Sequence, residues 1–243
     1  MDHGHEWLDE ADSKSLLAAY GVPVARSVKA GTAAEAAAAA REFPGPVALK
    51  IRSPDITHKS DAGGVALGLD SPERVAAAAE AMLNAIRARQ PSARIDGFTV
   101  EEMIGRPNAI ELIAGLSCDP TFGPVVLFGR GGLAVKEIDD TALGLVPLDR
   151  TLAADMIAQT RVSRLLRGYR TQPPADLGAI EDVLTALARL AEDHPEVAEL
   201  DINPLLADER GAVALEARVR IRDPAQCTPP ARGATCRPAS SRG

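Results

Sequence analysis

Aromatic side chains are scarce: one Trp, two Tyr and four Phe make up 3% of the 243 residues. So few flat rings leave no platform for stacking successive bases, which argues against a binder of single-stranded nucleic acid. A surplus of positive charge is missing too. The formal net charge is −7, the wrong sign for a general nucleic-acid partner. Three cysteines, Cys118, Cys227 and Cys236, show no CxxC spacing and leave one unpaired. That fits a reducing compartment better than a disulfide framework. Long apolar runs are absent. The opening MDHGHEWLDE carries no secretory pattern, and AAEAAAAA (33–40) is too short and interrupted to span a bilayer. These absences predict a cytoplasmic chain with no membrane partner.

The length allows one large domain or two modest ones, each with its own core. High alanine content thins the helices and leaves the cores to Val, Leu and Ile. A first helix is expected near residues 11–20, stopped by Gly21 as a left-handed C′ residue. Thr32 and Glu35 form a capping-box pattern that opens a helix to about Glu42. Strands follow at 47–51 and 65–69, and Ser71-Pro72-Glu73 starts the next helix with proline in its first turn. From residue 98 the texture turns to strands: FTVEEMI, NAIELIAGL, PVVLFG and LAVKEI. A clear helical stretch, GAIEDVLTALARLAED, precedes two last strands, VAELDIN and AVALEARVRI. The pattern predicts an α+β chain in two lobes, 1–97 and 98–222, with a disordered tail at 223–243.

Within this frame several residues carry chemistry, each with a plainer alternative. Lys50 ends an apolar strand, where an ammonium can meet phosphate oxygens or simply reach solvent. Gly63-Gly64 lets backbone approach a ligand closely, or turns a hairpin. GRGG (129–132) is a second such turn. Between these features lies the loop with His58, Lys59, Ser60 and Asp61. Lys59 adds positive charge there, whereas an imidazole is a competent nucleophile near neutral pH; an isolated loop histidine is also often just exposed. Glu101, Glu102 and Met103, followed by Glu111, lie near the lobe junction, where carboxylates can accept from an adenine amino group or ribose hydroxyls. Surface glutamates on alternating strands are the commoner meaning.

The last hairpin permits a derivation. DERG (208–211) centres a turn between Glu209 and Arg210, and positions equidistant from it face each other. Asn203 and Glu216 satisfy this, with Cβ atoms about 4.5–5.5 Å apart. An amide oxygen and a carboxylate at that separation can share a hard cation such as Mg²⁺. Asp201, two residues away, shares their face. A solvated polar hairpin face is the alternative, and Pro204 breaks the ladder nearby.

Read in order, LKIRSPDITHKSDAGGVALGL, the EL-I-AG---DP-FGPVV-FG-GG pattern and ELDINPL…ALEARVRI resemble the ATP-grasp β part of the nucleoside-diphosphate-forming acyl-CoA synthetases. These are ADP-forming acetate–CoA ligases, relatives of succinyl-CoA synthetase, and the resemblance runs from about residue 9 to 221. It implies a two-lobed ATP-grasp fold that binds ATP or ADP with Mg²⁺. It makes His58 a phosphoryl carrier, Lys50 a phosphate ligand, Asn203 and Glu216 the metal ligands, and Asp201 a support for the imidazole. A CoA-binding α subunit in trans, which would bring the acyl-CoA and carboxylate, and a hetero-oligomer are implied as well. The chain departs from the family pattern at Glu216 (usually Asp), Lys136 (usually Glu, here displaced to Glu137), Gly144 (usually Arg) and Ser117-Cys118. Two rival expectations are a carboxylate–amine ligase, which has no use for His58, and a catalytically relaxed nucleotide-binding subunit.

Overall fold

Apolar residues gather in two separate cores, one under each of two sheets. The computed structural model describes residues 5–56, 59–132, 140–168, 170 and 173–222. The smaller sheet contains β2 (Ser27–Ala30), β3 (Val47–Arg52), β4 (Val65–Leu69) and β5 (Gly97–Glu102). Its order is β2-β5-β3-β4, antiparallel at every junction. Helices α2 (Ala33–Ala40) and α3 (Pro72–Arg89) contribute to the same core. In α3 the buried Val75, Ala79, Met82 and Ile86 recur at three- and four-residue spacing, so one stripe faces the sheet. Ser71 caps it by accepting from the Arg74 N–H.

The cap of α2 is a variant of the expected box. Thr32 Oγ1 accepts from the Glu35 N–H at 3.1 Å, but the Glu35 carboxylate reaches back to the Gly31 N–H at 2.8 Å. The helix stops at Ala40, short of Glu42. The Glu42 and Phe43 amides bond carbonyls three residues back, which tightens the final turn.

The larger sheet runs β1-β11-β9-β6-β7-β8, with β10 also on β9. Its strands are β1 (His5–Trp7), β6 (Ile110–Asp119), β7 (Gly123–Arg130), β8 (Thr141–Leu145), β9 (Val197–Asp208), β10 (Gly211–Ala214) and β11 (Ala217–Arg222). Helices α1 (Glu10–Ala19), α4 (Arg150–Gln159), α5 (Ser163–Leu166) and α6 (Leu177–Asp193) accompany it. The buried Ile180, Val183, Leu184, Leu187 and Leu190 of α6 anchor this core.

The lobes divide differently from the boundary expected at residue 97. Strand β5 lies between β2 and β3 in the smaller sheet, because Phe98 and Val100, both fully buried, complete that core beside Leu49 and Ile51. At the other end, β1 pairs with β11, and Leu17 of α1 is buried in the larger core. The smaller lobe is therefore an insertion of about residues 27–102 between the first helix and the rest of the larger lobe. The stretch LAVKEI (133–138) and the tail from 223 lie outside the described residues. Among the described residues no helix is long and apolar enough to cross a membrane.

Candidate functional site

The β9–β10–β11 hairpin keeps the register derived from its turn. Asp208 faces Gly211, Leu205 faces Ala214, and beyond a break Ile202 faces Ala217 and Asp201 faces Arg218. Leu215 and Glu216 leave the ladder where Pro204 has no N–H to give, and the Leu215 N–H donates to the Pro204 carbonyl at 3.0 Å. The same centre therefore holds on both sides of the break. Asp201, Asn203, Glu216, Ala217 and Arg218 line one open pocket of about 260 Å³.

Its donors are hard oxygens: two carboxylates and an amide. Among the described residues no three His, Cys, Asp or Glu side chains converge into a self-contained metal cage. The oxygen donors present suit Mg²⁺, which usually takes one or two carboxylates and fills its other positions with water and substrate phosphate. The Asn203 Oδ1 already accepts from the Gly132 N–H at 3.2 Å, which orients the amide. Burial raises the pKa of Asp201; Arg218 opposes the rise, and the charges of Glu199 and Glu216 add to it.

Beside the pocket lies a buried charge network. Lys50, on β3, has its ammonium 2.7 Å from Glu10 Oε1, 3.2 Å from Glu101 Oε1 and 3.6 Å from Glu216 Oε1. Lys14, one turn along α1 from Glu10, makes a short bond to Glu101 Oε2 and lies 3.3 Å from Glu10. Lys59 approaches the other Glu10 oxygen at 3.2 Å. Burial alone would raise the Glu10 carboxyl, yet Lys50, Lys14 and Lys59 hold it down to about 2. Burial pulls Lys50 downward, and Glu10, Glu101 and Glu216 together raise it above the usual lysine range. Glu101 is raised, chiefly by burial, with Lys50 and Lys14 pulling against it.

The expected residues sort into groups. Lys50, Lys59, Asp201, Asn203 and Glu216 come together at the junction of the two sheets. Glu101 joins them in an unexpected role, because its buried carboxylate is engaged by Lys14 and Lys50 and is closed to an adenine. Glu102 is half-buried and its N–H donates to the Arg26 carbonyl. Met103 is 40% exposed, and its sulfur accepts from the Gly68 N–H at 3.0 Å.

Gly63 and Gly64 fit the turn alternative. Their amides donate to the Ser60 and Lys59 carbonyls at 3.0 and 2.7 Å, so the loop itself consumes the donors a phosphate would need. Gly63 has φ +73°, and a Cβ on Gly64 would lie 2.5 Å from Ile51 Cγ2. Glu111 is exposed, with its carboxylate against Gly132 rather than against Glu101 and Glu102. Gly144 lies against α4, where a Cβ would sit 2.3 Å from Met156 Sδ, so a larger side chain there requires the flexible end of Met156 to move. His58, Lys136 and Glu137 lie outside the described residues.

Sequence reasoning missed Glu10, Lys14 and Arg218. The Glu–Lys spacing of four on the first helix was the available signal for the first two. For Arg218 it was its place opposite Asp201 in the hairpin register.

A family model described as an ATP-grasp domain matches residues 1–221. The chain belongs to the ATP-grasp family. This ATP-grasp chain is 35% identical over 212 residues to acetate–CoA ligase (ADP-forming) I subunit beta of Pyrococcus furiosus, covering 87% of itself and 90% of that subunit. It is 39% identical over 209 residues to acetate–CoA ligase (ADP-forming) I of Archaeoglobus fulgidus, covering 86% of itself but only 30% of that longer protein. Among solved structures it resembles dinucleotide-forming acetyl-coenzyme A synthetase 1 of Ca. Korarchaeum cryptofilum in complex with coenzyme A, Ca-AMPCP and HgCl⁺. The TM-score is 0.83 at 36% identity, covering 91% of this chain and 95% of that one. Another structure of that synthetase holds coenzyme A and Mg-AMPPCP, with its phosphohistidine segment pointing towards the nucleotide binding site. There the TM-score is 0.78 at 36% identity, with 89% and 93% covered.

Proposed function

We propose that the chain is the β subunit of an ADP-forming acyl-CoA synthetase, which with an α partner converts acyl-CoA, ADP and phosphate to carboxylate, CoA and ATP. The observation that carries this reading is the pocket of Asp201, Asn203 and Glu216, with the Lys50 ammonium 3.6 Å from Glu216, in a chain that spans 90% of a named β subunit. The α partner, acting in trans, supplies the CoA-binding part, in line with the 30% share that this chain spans of a longer acetate–CoA ligase.

In this reading Lys50 and Lys59 meet the nucleotide phosphates as point charges. Asn203 and Glu216 hold Mg²⁺, which when bound offsets the negative charge gathered on the phosphoryl oxygens. Arg218 lines the same pocket and adds a third positive charge. His58 carries the phosphoryl group from the α partner, as the phosphohistidine segment of the Korarchaeum synthetase suggests. A terminal oxygen of ADP attacks the phosphorus, the N–P bond breaks, and its electron pair returns to the imidazole. In the same reading Asp201 accepts from the ring N–H and keeps the reacting nitrogen aimed. Positioning and charge neutralisation supply most of the catalysis in such transfers.

The test is acid-labile phosphate on the protein. Chain incubated with Mg·[γ-³²P]ATP, with and without the α partner, is expected to gain label that His58→Ala abolishes. Label that survives this substitution removes His58 as the carrier. Nucleotide binding with neither label nor turnover favours a regulatory nucleotide-binding subunit instead.

A further inference from the structure

We infer that Glu10 and Lys14 are positioning residues, which fix the Lys50 ammonium where nucleotide phosphate arrives; this rests on the nucleotide-binding reading above. The first helix contributes no group to the pocket walls. Its side chains nevertheless form the back of the cation site. Glu10 makes the shortest contact with Lys50, at 2.7 Å, and its two oxygens are shared among Lys14, Lys50 and Lys59. Lys14, with 3% of its side chain exposed, is too enclosed to touch a ligand. Its bonds run to Glu10 and Glu101, the two carboxylates that hold Lys50, so it orients the carboxylates and they orient the ammonium.

Lys50 is held from several sides. The groups facing it are Glu10 on α1, Glu101 on β5 and Glu216 between β10 and β11, with Lys14 bound to both Glu10 and Glu101 and Lys59 to Glu10. Removing the Glu10 carboxylate takes away the nearest of these contacts and frees the ammonium to turn towards Glu101. A residue that merely stabilised the fold would change the melting temperature without separating a phosphate-bearing ligand from a phosphate-free one.

The experiment is calorimetric titration of the full chain with Mg·ADP and with adenosine at pH 7.5, for wild type, Lys50→Met, Glu10→Gln, Glu10→Asp and Lys14→Met. Lys50→Met is expected to bind Mg·ADP about ten-fold more weakly, and Glu10→Gln and Lys14→Met about five-fold more weakly, with adenosine affinity unchanged in each. Glu10→Asp keeps the charge and should recover part of the loss. If wild type binds and Lys50→Met does not, but Glu10→Gln and Lys14→Met both match wild type for Mg·ADP, the inference is overturned while the function stands. If wild type itself fails to bind Mg·ADP, the functional reading fails first. Should Glu10→Gln not fold, Glu10→Asp decides: a Mg·ADP affinity identical to wild type, despite the shortened reach, overturns the positioning role.

Discussion

Asp201 carries a penalty in its charged form, because burial raises its pKa and Glu199 and Glu216 add to the rise. A carboxylic acid whose folded pKa is raised supports the fold in acid and loses that support as pH climbs through the raised value. Asp201→Asn is therefore expected to raise the melting temperature at pH 7, with the gain fading towards pH 3, while phosphoryl transfer falls. Thermal unfolding across that range, paired with an activity assay, checks both. Glu10 has the opposite sign. Its folded value of about 2 lies below the ordinary 4.5, so its stabilising contribution is present above pH 4.5 and drains away as pH falls towards 2. Glu10→Gln is expected to cost roughly 3 kcal/mol in denaturant unfolding at neutral pH, since it leaves buried lysines short of a partner. The Asn203–Glu216 pairing was legible from residue numbers alone, because a hairpin turn fixes which positions are level. For Glu10 and Lys14 the four-residue spacing in EADSK signals a helix-face ion pair, but nothing local says that strands more than thirty residues away will enclose it.

Elements were legible where periodicity or caps were strong. The four-residue stripe of α3 and the apolar face of α6 each identify a helix, and the Ser71-Pro72 start marks the beginning of α3. Partner choice among strands was another matter. The texture around residue 98 is strand-like on both sides of the lobe junction, and no local signal distinguishes β5, paired with β2 and β3, from β6, paired with β7 and β9. The loop between β3 and β4 makes a sharper claim at this scale. Gly64 packs so tightly on Ile51 that Gly64→Ala is expected to destabilise by about 1–3 kcal/mol. In an Ile51→Ala background, where Cγ2 is gone, the same change should cost much less. Chemical denaturation of the four proteins of this cycle measures the coupling, and simple additivity would place the loop elsewhere.

At the scale of the molecule, two cores with separate sheets meet where Lys50 of the smaller lobe reaches Glu216, at the edge of a pocket on the larger one. A ligand that binds only the folded chain stabilises it by mass action, by about 2.7 kcal/mol at a hundred times its Kd. Mg·ADP is expected to raise the melting temperature, and EDTA should remove most of that rise if Asn203 and Glu216 hold the ion. Unchanged protection in EDTA would point to nucleotide held by the lysines alone.

The first helix gives this arrangement a mechanical meaning. Leu17 roots it in the core of one lobe, while Asp9, Glu10, Asp12 and Lys14 are bonded to Lys29, Lys50, Arg52 and Glu101 of the other. Any swing between the lobes would have to stretch those ion pairs, so the first helix acts as a strap that ties the smaller lobe, Lys50 included, to the larger core.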